Sequence, residues 1–320
     1  MPCAELRFAG AHATTMTSRA FLKGALTGAA LILFLQWLFP GLGPGGGGGG
    51  EDLGHLPTLE RLRRTRVARI GFANEAPYAY LDTKTGRLTG EAPEIARVVF
   101  RRLGVDRVEG VLTEFGALIP GLKAGRFDVI AAGMYVTPPR CQQVDFSTPT
   151  YSVGEGLVVP SGNPKGLHSY RDIAAKGATI GVVTGAIQRR YALESGILSD
   201  KIKVFPDAAS ALEAVGAGRV DGYAATSLTV NDLLARAGDA GLERAEPFAD
   251  PIIDGAPVRG YGAFVFRPGD DALRAAFDRE LDQFIGSPQH LELVAPFGFT
   301  EAELPGEVTV AELCQGAPAR

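Results

Sequence analysis

Arg140 is the residue of this chain best suited to hold a small anion. A guanidinium is permanently charged and presents a planar fork of N–H donors that matches a carboxylate with two parallel bonds, which the ammonium of a lysine cannot do. It lies in Thr137-Pro138-Pro139-Arg140-Cys141-Gln142-Gln143-Val144-Asp145-Phe146-Ser147-Thr148-Pro149-Thr150-Tyr151, where the competing reading is a surface ion pair with Asp145. The loop Thr184-Gly185-Ala186-Ile187-Gln188 opens a helix. Free backbone N–H groups and the positive end of the helix dipole favour a carboxylate there, with Gln188 as a side-chain contact. Phosphate is disfavoured, because the Lys-Ser/Thr of a P-loop does not follow. Glu75 is the one strong candidate for general acid or base work. No G-x-S-x-G, HExxH or Cys/His arrangement offers another chemistry. Histidines at 12, 55, 168 and 290 are too scattered for a local metal motif, and cysteines 3, 141 and 314 form no C-x-x-C, so no metal and no cofactor are expected.

The elements that must position these residues repeat themselves. Leu118-Ile119-Pro120-Gly121-Leu122-Lys123-Ala124-Gly125-Arg126-Phe127-Asp128 and Ala211-Leu212-Glu213-Ala214-Val215-Gly216-Ala217-Gly218-Arg219-Val220-Asp221 each read as an amphipathic helix. Each is stopped by a glycine suited to the left-handed C′ position, and Arg-x-Asp then leads into an apolar strand, Val129 to Ala132 or Gly222 to Ala225. Two similar α/β lobes follow, and such proteins commonly keep their ligand in the cleft between lobes. Val67 to Phe72 is a strand, Asp82 to Gly86 a hairpin-like turn, and Ala92 to Leu103 a helix with Ile95, Val98, Val99 and Leu103 on one face. Alternation of strand and helix argues for a largely parallel sheet. Ala178 to Val183 and its loop mirror Val67 to Phe72. The proline-marked segment Pro160 to Pro164 suits an outbound crossing and Asp250 to Gly262 a return, which places one lobe at 64–158 and 256–318 and the other at 163–250. Two connections between lobes make a hinge.

The chain has 320 residues, 46% of them hydrophobic and 21% charged, enough to bury a sizeable core. A net charge of −4, with Lys and Arg scattered, argues against nucleic acid as a partner. Residues 1–50 stand apart. Arg19 and Lys23 precede the apolar run Ala25 to Phe39, which reads as an export signal. Ser18 to Lys23 is similar to a twin-arginine export motif, with Ala20 in place of the second arginine. No clear small-x-small cleavage site follows, and Gly45 to Gly50 form a flexible tether. An uncleaved membrane anchor is therefore the alternative, although the apolar run falls short of the ~20 residues that comfortably span a bilayer. The protein is expected outside the cytoplasm, where Cys141 and Cys314 form a disulfide. Two unlinked buried thiols are the other possibility.

The run from Thr137 to Tyr151 resembles the T-x-x-R-x-x-x-V-D-F-S-x-P-x-Y signature of extracellular solute-binding proteins that feed ABC importers, in their polar amino-acid branch. That resemblance covers about residues 64 to 318. It implies an α/β, two-lobed, type II periplasmic-binding-protein-like fold with two hinge crossings, a monomer that closes on its ligand and hands it to a permease, and Arg140 on the ligand carboxylate. Gly71 to Tyr78, Leu112 to Leu122 and Ala131 to Tyr135 are similar to the ectoine/hydroxyectoine-binding proteins of that branch. Carried over one by one, that likeness assigns Glu75, Tyr78, Phe115 and Tyr135 to the ligand.

Ectoine is a ring with a carboxylate and a cation spread over an amidinium. Aromatic faces suit such a weakly hydrated cation, at roughly 0.5 to 2 kcal/mol each, and Glu75 can accept a ring N–H. Taken alone, Phe115 and Tyr135 also fit a core and Tyr78 a cap on the sheet. Amino-acid binders of this branch carry an aspartate where this chain has Thr226. An unpaired buried ammonium is costly, so Thr226 speaks against ordinary amino acids. Other readings are a binder of another polar amino acid or a betaine-like zwitterion, and a dehydratase-like enzyme on the same fold.

Overall fold

The structure, a computed structural model, describes residues 53–238, 240–253 and 255–316. Residues 1–53 and 54–320 separate as two units; the expected export segment and tether lie outside the described residues, as Leu53 alone of the first unit is described. Among the described residues no helix is long and apolar enough to cross a membrane.

Two sheets organise the second unit. Lobe one contains β1 (Val67–Phe72), β4 (Arg107–Leu112), β5 (Val129–Tyr135), β6 (Asp145–Phe146), β7 (Tyr151–Val153) and β15 (Gly260–Phe266). Its order is β4-β1-β5-β15-β6, with β7 also paired to β15. A small hairpin, β2 (Tyr80–Leu81) and β3 (Leu88–Thr89), stands beside it. Lobe two contains β8 (Glu155–Pro160), β9 (Ile180–Val183), β10 (Ile202–Phe205), β11 (Gly222–Thr226) and β12 (Leu242–Arg244), in the order β10-β9-β11-β8-β12. The first three strands of each lobe are parallel. β15 and β8, however, run antiparallel beside β5 and β11. The expected largely parallel sheets are therefore mixed, because the strands that join the lobes enter each sheet from the opposite end.

The duplicated motif has one physical job in both places. Gly125 and Gly218 adopt φ of 70° and 68°, the left-handed conformation that ends each helix, Leu118–Lys123 and Ala208–Gly216. The following aspartate then pins the neighbouring strand. Asp128 N–H donates to the Arg69 carbonyl and its carboxylate accepts the Arg69 N–H, both at 2.8 Å. Asp221 does the same to Thr179 at 2.7 and 2.8 Å. Each aspartate also carries a cation, Arg61 at 2.6 Å or Lys165 at 2.8 Å.

The outbound crossing falls at Gly154, earlier than Pro160 to Pro164, because Glu155–Pro160 pairs in register with β11. Residues 155–158 thus belong to lobe two, and the segment after Pro160 is a turn closed by the Asn163 N–H on the Pro160 carbonyl, 3.0 Å. The return runs from Ala249, bridged to Ser169 of lobe two, through β13 (Ile252–Ile253) and β14 (Ala256–Pro257) to β15. Asp250 ties the crossings together, its Oδ1 accepting the Glu155 N–H at 2.7 Å.

Cys141 and Cys314 are bonded, with a sequence separation of 173. The bridge fastens the C-terminal helix, Val310–Gln315, to the helical turn Pro138–Cys141 that carries Arg140. The chain-entropy model gives a loop of this length at most about 5 kcal/mol. A Cys141→Ser/Cys314→Ser variant is expected to lose up to that amount of unfolding free energy in a urea titration; an unchanged midpoint would show that the bridge adds nothing.

Candidate functional site

All the predicted ligand residues but Thr184 and Gly185 converge where the C-terminal ends of the parallel strands of both sheets face each other, the usual location of ligands in α/β sheets. A cavity of about 30 Å³ is walled from lobe one by Glu75, Tyr78, Phe115, Tyr135 and Arg140, and from lobe two by residues that include Gln188 and Thr226. Glu75 follows β1 in a loop fixed by reciprocal hydrogen bonds with Ala79, 2.8 and 2.9 Å. The Asn74 side chain adds a bond from the Leu81 N–H at 2.9 Å. Phe115 opens a short 3-10 turn after β4, and Tyr135 ends β5.

Arg140 does not pair with Asp145. Its guanidinium donates to the Tyr135 carbonyl at 2.8 Å and, across the cleft, to the Gly185 carbonyl at 3.0 Å. It also lies 5.5 Å from the centroid of the Phe115 ring. Burial pushes this arginine down to about 10.

Tyr78 stacks on Tyr151 at 5.1 Å and meets Phe299 edge-on at 5.8 Å. Its hydroxyl crosses to lobe two and donates to Thr226 Oγ1 at 2.8 Å. Thr226 caps the helix Ser227–Ala237 by accepting the Thr229 N–H at 3.1 Å. It also donates to Thr229 Oγ1 at 3.0 Å, and Thr229 returns across the cleft to Glu75 Oε1 at 2.9 Å. The second carboxylate oxygen of Glu75 has no protein partner among the described residues. Burial raises Glu75 above the ordinary glutamate value, with the Thr229 hydroxyl pulling it back. At the rim, Arg236 of lobe two sits 4.5 Å over the Tyr80 ring of lobe one.

Thr184 and Gly185 do not wall the cavity. The Thr184 hydroxyl donates to the Phe205 carbonyl at 3.0 Å within its own sheet, and Gly185 offers Arg140 a carbonyl. The helix after them, Gln188–Glu194, is short. These glycines do their work by contact: a Cβ on Gly185, whose φ is +77°, would lie 2.7 Å from the Gly116 Cα of lobe one. Sequence reasoning missed Thr229 and Glu155. Thr229 could have been found as the third residue after a helix-capping threonine. Glu155, the first residue past the crossing, accepts the Tyr170 hydroxyl at 2.9 Å and the Gln188 amide at 3.1 Å. Burial pushes it up to about 8, against those two hydrogen bonds. Glu91, behind the aromatic wall, is likewise pushed up to about 8 by burial.

The model of the bacterial extracellular solute-binding proteins, family 3, matches residues 68–299. The chain belongs to this family. A probable amino-acid ABC transporter periplasmic-binding protein of Sinorhizobium fredii, y4tE, is 39% identical over 294 residues, 91% of this chain and 92% of that protein. The crystal structure of EhuB in complex with hydroxyectoine is similar with a TM-score of 0.72 and 39% identity, over 80% of this chain and 97% of EhuB. The ancestral amino-acid-binding protein AncCDT-1, a precursor of cyclohexadienyl dehydratase, is similar at a TM-score of 0.65 and 25% identity, over 75% of this chain and 99% of its own.

Two outcomes test this geometry. Gly185→Ala is expected to prop the lobes apart and enlarge the radius of gyration in small-angle scattering. Gly116→Ala, whose Cβ would lie 3.1 Å from Thr184 Cγ2 and 3.4 Å from the Thr184 carbonyl oxygen, should do so less; equal radii for all three proteins would refute the contact. For Glu91, raised by burial with the Thr150 hydroxyl pulling it back, a raised folded value means stability present below the unfolded value of 4.5 and lost as pH rises through about 8. Glu91→Gln should therefore match the parent at pH ~4 and exceed it near pH ~9 by a few kcal/mol at most, read from denaturation midpoints.

Proposed function

We propose that this protein captures ectoine or hydroxyectoine between its lobes and delivers it, unchanged, to the permease of an ABC importer. The observation that carries the reading is the single cavity that gathers Glu75, Tyr78, Phe115, Tyr135 and Arg140. The likeness to EhuB along nearly all of EhuB's length supports the ligand class. In this reading the Arg140 guanidinium, which has N–H groups beyond the two given to carbonyls, takes the ligand carboxylate. Phe115, Tyr135 and Tyr78 shelter the ring cation, and the free oxygen of Glu75 accepts a ring N–H. The ligand enters when the cross-cleft bonds part and is sealed when the lobes close, with rotation at the two crossings. The protein acts outside the cytoplasm as a monomer, exported through its N-terminal segment or held by it to the membrane.

Thr226 favours this ligand class over ordinary amino acids. Its hydroxyl is engaged by Tyr78 and Thr229 and offers no charge to a primary ammonium. Calorimetric titration against ectoine, hydroxyectoine, proline betaine, arginine and other polar amino acids checks the reading: the two ectoines should bind at least tenfold more tightly than the rest, and tighter binding of arginine would overturn it. Arg140→Lys should weaken ectoine binding about 10- to 100-fold, since one ammonium replaces a two-point grip. If ectoine incubated with the protein yields a new product, lost in Glu75→Gln, an enzyme replaces the binder.

The pH dependence has a definite sign. Glu75 keeps its proton to a higher pH than an ordinary glutamate, and the ligand cation needs the ionised form. Binding near that raised value should release a proton, and affinity should rise with pH and then level off. Titration in two buffers of different ionisation enthalpy reads the proton directly, and Glu75→Gln should abolish its release.

A further inference from the structure

Glu155 does not wall the cavity, yet it touches a residue that does. It is 3% exposed, with Oε2 receiving the Tyr170 hydroxyl at 2.9 Å and Oε1 receiving Nε2 of Gln188 at 3.1 Å. Its N–H is taken by Asp250 at 2.7 Å, so the residue is held from three sides at the hinge. Gln188 is 5% exposed and lines the cavity. An amide carries a donor and an acceptor on opposite arms of one plane. Both carboxyl oxygens of Glu155 accept in this arrangement, and above about pH 8 the ionised group can do nothing else, so it selects the rotamer in which Gln188 gives Nε2 inward. No described residue donates to Gln188 Oε1, which is left to the cavity.

We propose that Glu155 is a specificity-determining positioning residue: it locks the Gln188 amide so that lobe two presents a carbonyl acceptor to the ligand, facing the Glu75 acceptor of lobe one. Resting on the zwitterion-binding reading above, this assigns the cleft to cations that carry two N–H donors on a delocalised, planar group. Quaternary ammoniums, which have no N–H, leave both acceptors unmet, and an unmet buried acceptor is costly. The aromatic wall alone would accept either kind of cation. The two acceptors supply the discrimination that aromatic faces lack.

The test uses the exported chain at pH ~9, above the value of about 8 to which burial pushes Glu155, with ectoine and proline betaine as probes. Glu155→Gln keeps the shape but lets either arm of the Gln188 amide face the cavity. It should weaken ectoine about tenfold and leave proline betaine within twofold, so that selectivity falls. Tyr170→Phe, which frees one carboxylate oxygen, should act in the same direction and less. In the Gln188→Ala background Glu155→Gln should have no further effect on ectoine. Equal losses for both probes, no loss for ectoine, or additive effects of the two substitutions would overturn the proposal. A ligand-free arm separates it from the functional reading: the side-chain amide resonances of Gln188 should shift in Glu155→Gln, and if they do not, the lock is absent. A parent protein that binds no ectoine but shows that shift refutes the ligand and keeps the lock.

Discussion

Two sheet edges that carry polar side chains can close on each other only if each buried group finds a partner opposite, because an orphaned donor or acceptor costs about 1–3 kcal/mol. The path from Tyr78 to Thr226, Thr229 and Glu75 satisfies that constraint with hydroxyls that both give and receive. It also explains why threonine serves where a carboxylate would not. An acid beside Glu75 would place two like charges in a poorly solvated space. The bond from Arg140 to the Gly185 carbonyl does the same at the other side of the cavity. Closeness at Gly116 and Gly185 follows, since those bonds bring two backbones together where a Cβ on Gly185 would not fit.

The aromatic wall is rigid because it is part of the lobe-one core. Tyr78, Tyr151 and Phe299 contact one another in offset and edge-on pairs, and Tyr135 joins them through Tyr151 at 6.4 Å. Rings packed in this way have already given up their rotamer freedom on folding. The supposed choice between core and ligand cage is therefore not exclusive: Tyr78 and Tyr135 are buried, pack in the core and line the cavity at once.

Much of this was legible in the sequence for local reasons. The duplicated Gly-Arg-x-Asp turns are short-range devices whose chemistry is written in consecutive residues, and both took up the expected conformation. The strand Val67–Phe72 and the face of Ile95 and Val99 followed from periodicity. The crossing was misplaced because Pro160 marks a turn as readily as a hinge, whereas Gly154 carries no signal until the register of β8 with β11 is known. Thr184 looked like a ligand group because its loop resembles an anion site, but its hydroxyl is satisfied by a carbonyl of the adjacent strand. Glu155 was invisible for the same reason: its partners, Tyr170, Gln188 and Asp250, come together only in three dimensions.

The placement of β15 has a consequence for how the chain acquires its shape. Lobe two, from Glu155 to Ala249, is continuous in sequence and can complete its sheet from its own residues. Lobe one cannot: β5 stays an open edge until Gly260–Phe266 has been made and threaded between it and β6. Contacts of such separation form late, since loop closure must precede their reward. The second lobe can thus mature as an island within a first lobe whose sheet is completed only when Gly260–Phe266 is in place.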